Sequence, residues 1–481
     1  MIVKKEKGET LNYLEDASNL KADNIESVFI PQNEEEVGEI VRECSARNIP
    51  LTVSAGGTGV VGGRVPLGGG VILSTEKLNE IVEINKEKKY AVLQAGVVIS
   101  DFLEELSKQK LFYPPFPTER TAFIGGNVAT NASGEYSFKF GSTREYVRGI
   151  KVVLSDGKVV WIRRGETFAQ DGYLGIPSTD IKFKVPGYEM PSVRKNAAGY
   201  YSKADMDLID IFIGSEGTLG IITEVEVKVI EEPPDVFFCA VFFQDSENAF
   251  SMVTDIEKRK DILNDILCLE YFDSNSLQLL KEFYPQVPGV AEECLLFATQ
   301  VNSPESLDVW DKLLGGYNSI SNWFADSPKQ KEELYGFRHK LPEIINEIVR
   351  KNSYPKISTD IVVPEDKFWQ MNDFYREKLK GTGMKHVIFG HIGESHLHVN
   401  LLPENEEERQ EASRLYLEFS RKGVELGGTV SGEHGIGKRK HQLLKIMYGE
   451  EGLKQMARVK KSIDKSCILG LDNIFPRVLI D

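Results

Sequence analysis

The stretch Val53-Ser-Ala-Gly56-Gly57-Thr58-Gly59-Val-Val-Gly62-Gly-Arg64-Val-Pro-Leu-Gly68-Gly-Gly70 decides how the rest of the chain is read. Eight of these eighteen residues are glycine. A backbone with free φ lets successive N–H groups converge on one anion, which is how a protein cradles a pyrophosphate without side-chain charge. Thr58 adds a hydroxyl donor. The run Gly57-Thr-Gly59-Val-Val-Gly62 matches G-x-G-x-x-G, but that fingerprint requires a helix directly after it. Here Arg64-Val-Pro-Leu-Gly-Gly-Gly70 follows, then the strand-like Val71-Ile-Leu-Ser74, so a Rossmann unit is rejected. Apolar strands on both flanks, Leu51 to Ser54 and Val71 to Ser74, set the loop at the heart of a domain rather than on a flexible surface.

Upstream, Ser27-Val-Phe-Ile30 reads as a strand. Asn33 with Glu36 resembles a capping box, and Val37, Ile40, Val41 and Cys44 mark one buried helix face. Residues 1–25 read as a polar lead-in. Downstream come short strands at 81–84 and 91–95 and an amphipathic helix carrying Ile99, Phe102, Leu103 and Leu106. Two more glycine clusters follow. The first is Ile124-Gly125-Gly126-Asn127-Val-Ala-Thr130-Asn131-Ala-Ser-Gly134, behind the rigid turn Tyr113-Pro-Pro-Phe-Pro117-Thr118. The second is Gly214-Ser-Glu216-Gly217-Thr-Leu-Gly-Ile221-Ile-Thr223. Glu231-Glu-Pro-Pro234 reads as a boundary, after which apolar strands alternate with amphipathic helices in a separate α+β unit.

At 481 residues the chain is too long for one core. Net charge is −15 with no basic run longer than Lys438-Arg-Lys440, which argues against nucleic acid. The longest apolar run, Val236 to Phe243, falls far short of the roughly 20 residues that span a bilayer. The N-terminus lacks the apolar core of a secretion signal. Cysteines 44, 239, 268, 294 and 467 have no C-x-x-C spacing, so neither structural disulfides nor iron–sulfur ligation is expected, and a cytoplasmic location fits.

All seven histidines lie in the last third of the chain. The alternation from His396 puts His396, His398 and Asn400 on one strand face. His391 stands just across the Gly393-Glu-Ser turn, and Glu433-His434 sits in the glycine-rich loop 427–437. Two imidazoles and a carboxylate with room for water describe an open, catalytic metal site. Solvated strand faces normally carry Lys, Glu or Thr instead.

Three motifs taken together, Ile124 to Asn131, Gly214 to Thr223 and Ser431-Gly-Glu-His-Gly-Ile-Gly437, resemble the FAD-dependent dehydrogenases of D-2-hydroxy acids. These are the D-lactate, glycolate and D-2-hydroxyglutarate dehydrogenases of the vanillyl-alcohol-oxidase superfamily, and the likeness runs from about Ser27 to Phe475. It implies an α+β fold with a two-subdomain FAD-binding domain at 26–232 and an α+β cap at 233–438. A C-terminal helical segment, 439–481, would return to the FAD domain. Gly56, Gly57, Thr58, Gly59 and Gly62 match the family's first FAD loop. Pro117, Thr118, Gly125, Gly126, Asn127, Thr130, Asn131 and Gly134 match its second FAD segment, and Glu216, Gly217 and Ile221 its third.

The resemblance also implies a divalent metal on His391, His398 and Glu433, with Zn2+ the first choice and Mn2+ or Fe2+ alternatives. His434 falls on the proton-abstracting histidine. Arg338 and Lys356 fall where substrate carboxylates are anchored, and Asn400 on a substrate contact. Three departures stand out. Ser54-Ala55 replaces Arg-Gly, Gly470-Leu-Asp472 replaces Asn-Pro-Gly, and Gly393-Glu-Ser-His396 replaces Gly-Asp-Gly-Asn. His396 is therefore read as an altered substrate contact or an additional ligand.

The implied activity is oxidation of a D-2-hydroxy acid to the 2-oxo acid, with electrons passed to an electron-transfer flavoprotein, a quinone or an iron–sulfur subunit. The flavin is expected to be noncovalent, because the glycine-rich half has no histidine and only Cys44, on a helix, to bond to the ring. A homodimer is an open assembly. Two alternatives are a flavin-free zinc hydrolase using His391, His398 and Glu433, and a flavin subunit that only relays electrons in a larger complex.

Overall fold

The computed structural model describes residues 1–302 and 304–480. The opening sheet has four strands in the order Ile2–Lys4, Ser27–Ile30, Val71–Ser74, Leu51–Ser54. The last three run parallel, with Val71 facing both Ser27 and Leu51. The helix Glu34–Arg47 connects the first parallel pair of chain segments, and the Asn33 side chain caps it by accepting from the Glu36 N–H at 3.0 Å. Between Leu51–Ser54 and Val71–Ser74 there is no helix, so the crossover is the glycine loop itself.

Residues 1–25 are folded and contribute directly to this region. Ile2–Lys4 pairs antiparallel with Ser27–Ile30. The Arg64 guanidinium donates to the carbonyls of Asn12, Glu15 and Ala55, and Ala17 N–H donates to Gly57 O. A polar composition concealed this: Arg64 and backbone carbonyls hold the segment, and its few apolar side chains, Tyr13, Leu14 and Ala22 among them, are buried beside Val28 and Val65.

A second sheet of five antiparallel strands has the order Ile81–Asn85, Tyr90–Gln94, Ile221–Lys228, Val147–Val153, Val159–Arg163. Its core continues into the C-terminal segment. Leu443, Leu444, Leu453 and Met456 from the bent helical stretch His441–Ile463 pack in one cluster with Val147, Ile150 and Val225. Leu51 also exchanges backbone bonds with Ile468 and Gly470.

The third sheet has seven antiparallel strands, ordered Ser319–Ala325, Val236–Phe243, Glu293–Gln300, Ile266–Asp273, His386–His391, His396–Leu401, Ile357–Ser358. Helices cover both faces of the sheet, so its strands Val236–Phe243, Ile266–Asp273 and Glu293–Gln300 are buried almost throughout. Along Val236–Phe243, Cys239, Val241 and Phe243 enter one core while Phe238, Ala240 and Phe242 enter the other. Each such buried Phe stabilises the fold by about 1.5–3 kcal/mol relative to exposure. The helices Ser246–Lys258, Phe368–Leu379 and Glu406–Glu425 line the first face, and Ser274–Lys281 and Pro328–Asn352 the second. The long helix Pro328–Asn352, closed at its start by a Ser327/Gln330 capping box, carries Arg338 toward the sheet.

Candidate active site

The first glycine loop, the turn at 117–119, the helix Ile124–Thr130 and the loop at 215–217 close around one cavity of about 360 Å³. Gly56, Gly57, Thr58, Gly59, Pro117 and Thr118 line it, as do Gly125, Gly126, Asn127, Thr130, Glu216 and Gly217. Gly62, Asn131, Gly134 and Ile221 do not. Asn131 instead caps the helix Ile124–Thr130 and accepts from Arg144 N–H at 3.0 Å. Gly134 lets the chain pass against Phe116, whose carbonyl would lie 1.8 Å from an added Cβ. Ile221 is 1% exposed in the sheet core.

Thr75 Oγ1, Asn127 Nδ2 and Ser133 Oγ are buried on the wall of this cavity and make no hydrogen bond within the protein. Buried polar atoms are ordinarily paired. Three orphans on one apolar wall, with Gly59 open to free space, fit a large ligand with scattered polar edges. That is the chemistry of FAD.

Glu433 and His434 line the same cavity from the other half of the chain. Their loop is held by two carboxylates. Both oxygens of Glu216 accept backbone N–H groups, from Ile436 at 2.8 Å and Gly437 at 2.7 Å. Gly435, at φ +77°, allows this approach, since a Cβ there would sit 2.9 Å from Glu216 Oε1. Burial pushes the Glu216 carboxyl up to about 7, against the pull of those two amides. The second carboxylate is Asp360, which is fully buried. It accepts from the backbone N–H of Glu433 at 3.3 Å and His434 at 3.0 Å, from Ser431 Oγ at 2.6 Å and from Lys440 Nζ at 2.8 Å.

His434 Nδ1 lies 3.4 Å from Asp360 Oδ2, and its ring stacks on His398 with centroids 5.5 Å apart. Burial, opposed by Asp360, moves the His434 imidazole down to about 4. The side chain keeps 33% of its surface exposed.

Behind His434 lies the histidine cluster. His391, His396, His398 and Glu433 each offer one atom within 4.8 Å of the others. Gly390, at φ +130°, brings the strand close enough that a Cβ would stand 3.0 Å from His398 Cδ2. His391 Nδ1 is 2.8 Å from Glu270, and His398 Nδ1 is 3.0 Å from Thr359 O. Such outer contacts fix the rings of metal-binding histidines. Burial lowers the His391 imidazole, but Glu270 and Glu433 outweigh it and lift it to about 9. A cation seated there replaces that proton.

Charge is consistent with a divalent ion. Buried Glu135, Glu270, Asp360 and Glu394 and partly exposed Glu433 lie along one contact network. Arg338, Lys195 and Lys440 oppose them, so with the histidines neutral two negative charges remain uncompensated. Lys195 is 1% exposed at its side chain and bridges Glu394 at 2.6 Å and Glu433 at 3.3 Å.

Arg338 is engaged by Glu135 at 3.4 Å and Glu270 at 3.3 Å, and His339 also contacts Glu135. Lys356, at the start of the edge strand Ile357–Ser358, has no acidic partner among the described residues, and burial lowers its pKa. Asn400 pairs with Ser358 across the strands and is 2% exposed.

Sequence reasoning missed Asp360, Lys195, Glu135 and Glu270. Asp360 follows Lys356 by four residues, and its thoroughly apolar sequel Ile-Val-Val was the available signal that this acid is buried.

Residues 25–163 match the FAD binding domain family, and residues 232–470 match the C-terminal domain of FAD linked oxidases. A D-lactate dehydrogenase of Anaerostipes hadrus is 32% identical over 451 residues, covering 91% of this chain and 86% of the relative. The glycolate oxidase subunit GlcD of Bacillus subtilis is 28% identical, covering 94% and 89%. The mitochondrial D-2-hydroxyglutarate dehydrogenase of Rattus norvegicus is 28% identical, covering 92% and 76%. Among solved structures, 4-ethylphenol oxidase from Gulosibacter chungangensis superposes with a TM-score of 0.69 at 18% identity, over 99% of this chain and 95% of that one.

Fold and matches together define an FAD-linked oxidoreductase of the vanillyl-alcohol-oxidase architecture, as the sequence led one to expect. Within that class, the chain belongs to the family of FAD-linked D-2-hydroxy-acid dehydrogenases. No helix among the described residues is long and apolar enough to cross a membrane.

Proposed function

We propose that the protein oxidises a small D-2-hydroxy acid, of the D-lactate, glycolate or D-2-hydroxyglutarate type, to its 2-oxo acid. One observation carries this reading: His434 and Glu433 open onto the same cavity as the three glycine-rich segments. FAD, when bound, supplies a two-electron acceptor for the hydride that leaves Cα. A divalent ion held by His391, His398 and Glu433 would supply a Lewis acid for the hydroxyl and carboxylate oxygens.

The chain's own residues do the rest. Asp360, beside Nδ1 of His434, orients the ring and leaves Nε2 as the acceptor of the hydroxyl proton. The depressed basicity of that ring keeps it unprotonated near neutral pH. Lys356, cationic and unpaired, anchors a carboxylate of the substrate. Arg338, already shared between two acids, chiefly sets the position of Glu270 and so of His391. Asn400, on the histidine face of its strand, adds a polar contact.

FAD is held without a covalent bond. Apart from His434, the described residues lining the cavity include neither histidine nor cysteine. Residues 26–232 form the FAD-binding domain and 233–438 the cap. The segment 439–481 returns to the FAD side, a division supported by the packing of Leu444 and Met456 against Val147 and Val225. A panel of D- and L-2-hydroxy acids, assayed with an artificial electron acceptor, tests the activity. Turnover of a D-acid or of achiral glycolate, and not of the L-acids, is expected, and indifference to the whole panel contradicts the reading.

A further inference from the structure

His396 stands where the family usually has asparagine, and its surroundings assign it a specific task. His391 and His396 face one another directly across adjacent antiparallel strands, and His398 lies two residues further along. All three rings therefore project from one face of the sheet. Their centroids are separated by 5.5 Å between His391 and His396, 4.4 Å between His396 and His398, and 5.7 Å between His391 and His398.

His396 is 0% exposed; Asp360 Oδ1 lies 3.1 Å from its Nε2, and its Nδ1 has no hydrogen-bond partner. An imidazole buried this way lacks a partner for its lone pair. Its ligand atom falls within 4.8 Å of those of His391, His398 and Glu433.

We propose that His396 is a fourth metal ligand, so that three imidazoles and Glu433 hold a six-coordinate divalent cation whose two remaining positions take the substrate. This rests on the reading of His391, His398 and Glu433 as a metal site. Four protein donors around a tetrahedral ion would leave no place for substrate, as in closed structural zinc sites. A 2-hydroxy acid chelates through its hydroxyl and one carboxylate oxygen, which needs two free positions. Mn2+ or Fe2+ provides six positions more readily than tetrahedral Zn2+. The added imidazole thus changes which metal works in this chain, while Asp360 beside Nε2 supplies the outer carboxylate that metal-binding histidines commonly have.

The test uses the FAD-bound protein, stripped with a chelator and reloaded with Mn2+ alone. Pulsed electron paramagnetic resonance counts the imidazole nitrogens coupled to the ion, and chelator competition gives its affinity. Three coupled imidazoles are expected in the wild type and two in His396→Asn. The variant should bind Mn2+ at least about tenfold more weakly, with its flavin content unchanged. Two imidazoles in the wild type overturn the fourth ligand while leaving the three-ligand site standing. Failure of the wild type to hold Mn2+, Fe2+ or Zn2+ overturns both. The wild-type count does not depend on whether any variant folds.

Discussion

Asp360 accepts two backbone N–H groups, a serine hydroxyl and a lysine ammonium, and stands beside two histidines. A buried carboxylate bonded this fully is a rigid post, and the Glu433-His434 loop hangs from it. That rigidity would give His434, the proposed base, a fixed place. His434→Asn keeps size and a donor but cannot accept the proton, so kcat should fall by about 10²–10⁴-fold. Metal and FAD contents should stay as in the wild type; loss of metal in the variant would make His434 a ligand instead. The two cations proposed for the substrate side, Lys356 and Arg338, should behave differently from each other. Lys356→Met should raise KM for the hydroxy acid about tenfold or more and leave Tm nearly unchanged, because its ammonium has no acidic partner to strand. Arg338→Met leaves buried Glu135 and Glu270 with only His339 and His391 beside them, and breaking comparable buried pairs costs about 3–5 kcal/mol. Thermal unfolding and steady-state kinetics on both variants separate the roles, and an unshifted Tm for Arg338→Met would refute the one given to it.

At the scale of elements, much of the architecture was legible. The first glycine loop sits between two strands with no helix, as its Pro66 and triple glycine require, and the strand at 236–243 is apolar because both faces are buried. The alternation of His396, His398 and Asn400 is by itself enough to put them on one strand face. What could not be read were contacts between elements distant in sequence. Glu135, Glu270 and Lys195 are single charged residues without local pattern. Each acquires its role when folding sets it beside a partner distant in sequence: Glu135 and Glu270 beside Arg338, 203 and 68 positions away, and Lys195 beside Glu433, 238 away. Glu216 belongs to this group: it clamps the Ile436-Gly437 turn from 220 residues away. Its pKa is raised to about 7 against an ordinary value of about 4.3, with Lys438 and Lys440 the nearby cations that oppose burial. The folded state therefore binds the proton more tightly than the unfolded one. Stability should fall as pH rises from about 4.3 to about 7 and then level off. Glu216→Gln has no such ionisation, so between pH 5 and pH 8 its Tm should decline less than that of the wild type. Parallel Tm profiles would contradict the assignment.

For the whole molecule, the two halves of the chain meet at the cavity, residues up to 222 supplying a glycine-lined wall and the C-terminal half supplying Glu433 and His434. A hydride leaving Cα must find its acceptor as the hydroxyl proton finds the imidazole, and holding both partners in place is worth several kcal/mol of barrier. The measurement closest to this claim mixes the FAD-bound protein with D-2-hydroxy acid under anaerobic conditions and follows flavin absorbance in a single turnover. Bleaching by the D-acid and not the L-acid is predicted, slowed several-fold when the Cα hydrogen is deuterium. Flavin that stays oxidised with every D-2-hydroxy acid offered, or bleaching that is indifferent to deuterium at Cα in His434→Asn and wild type alike, would contradict the account.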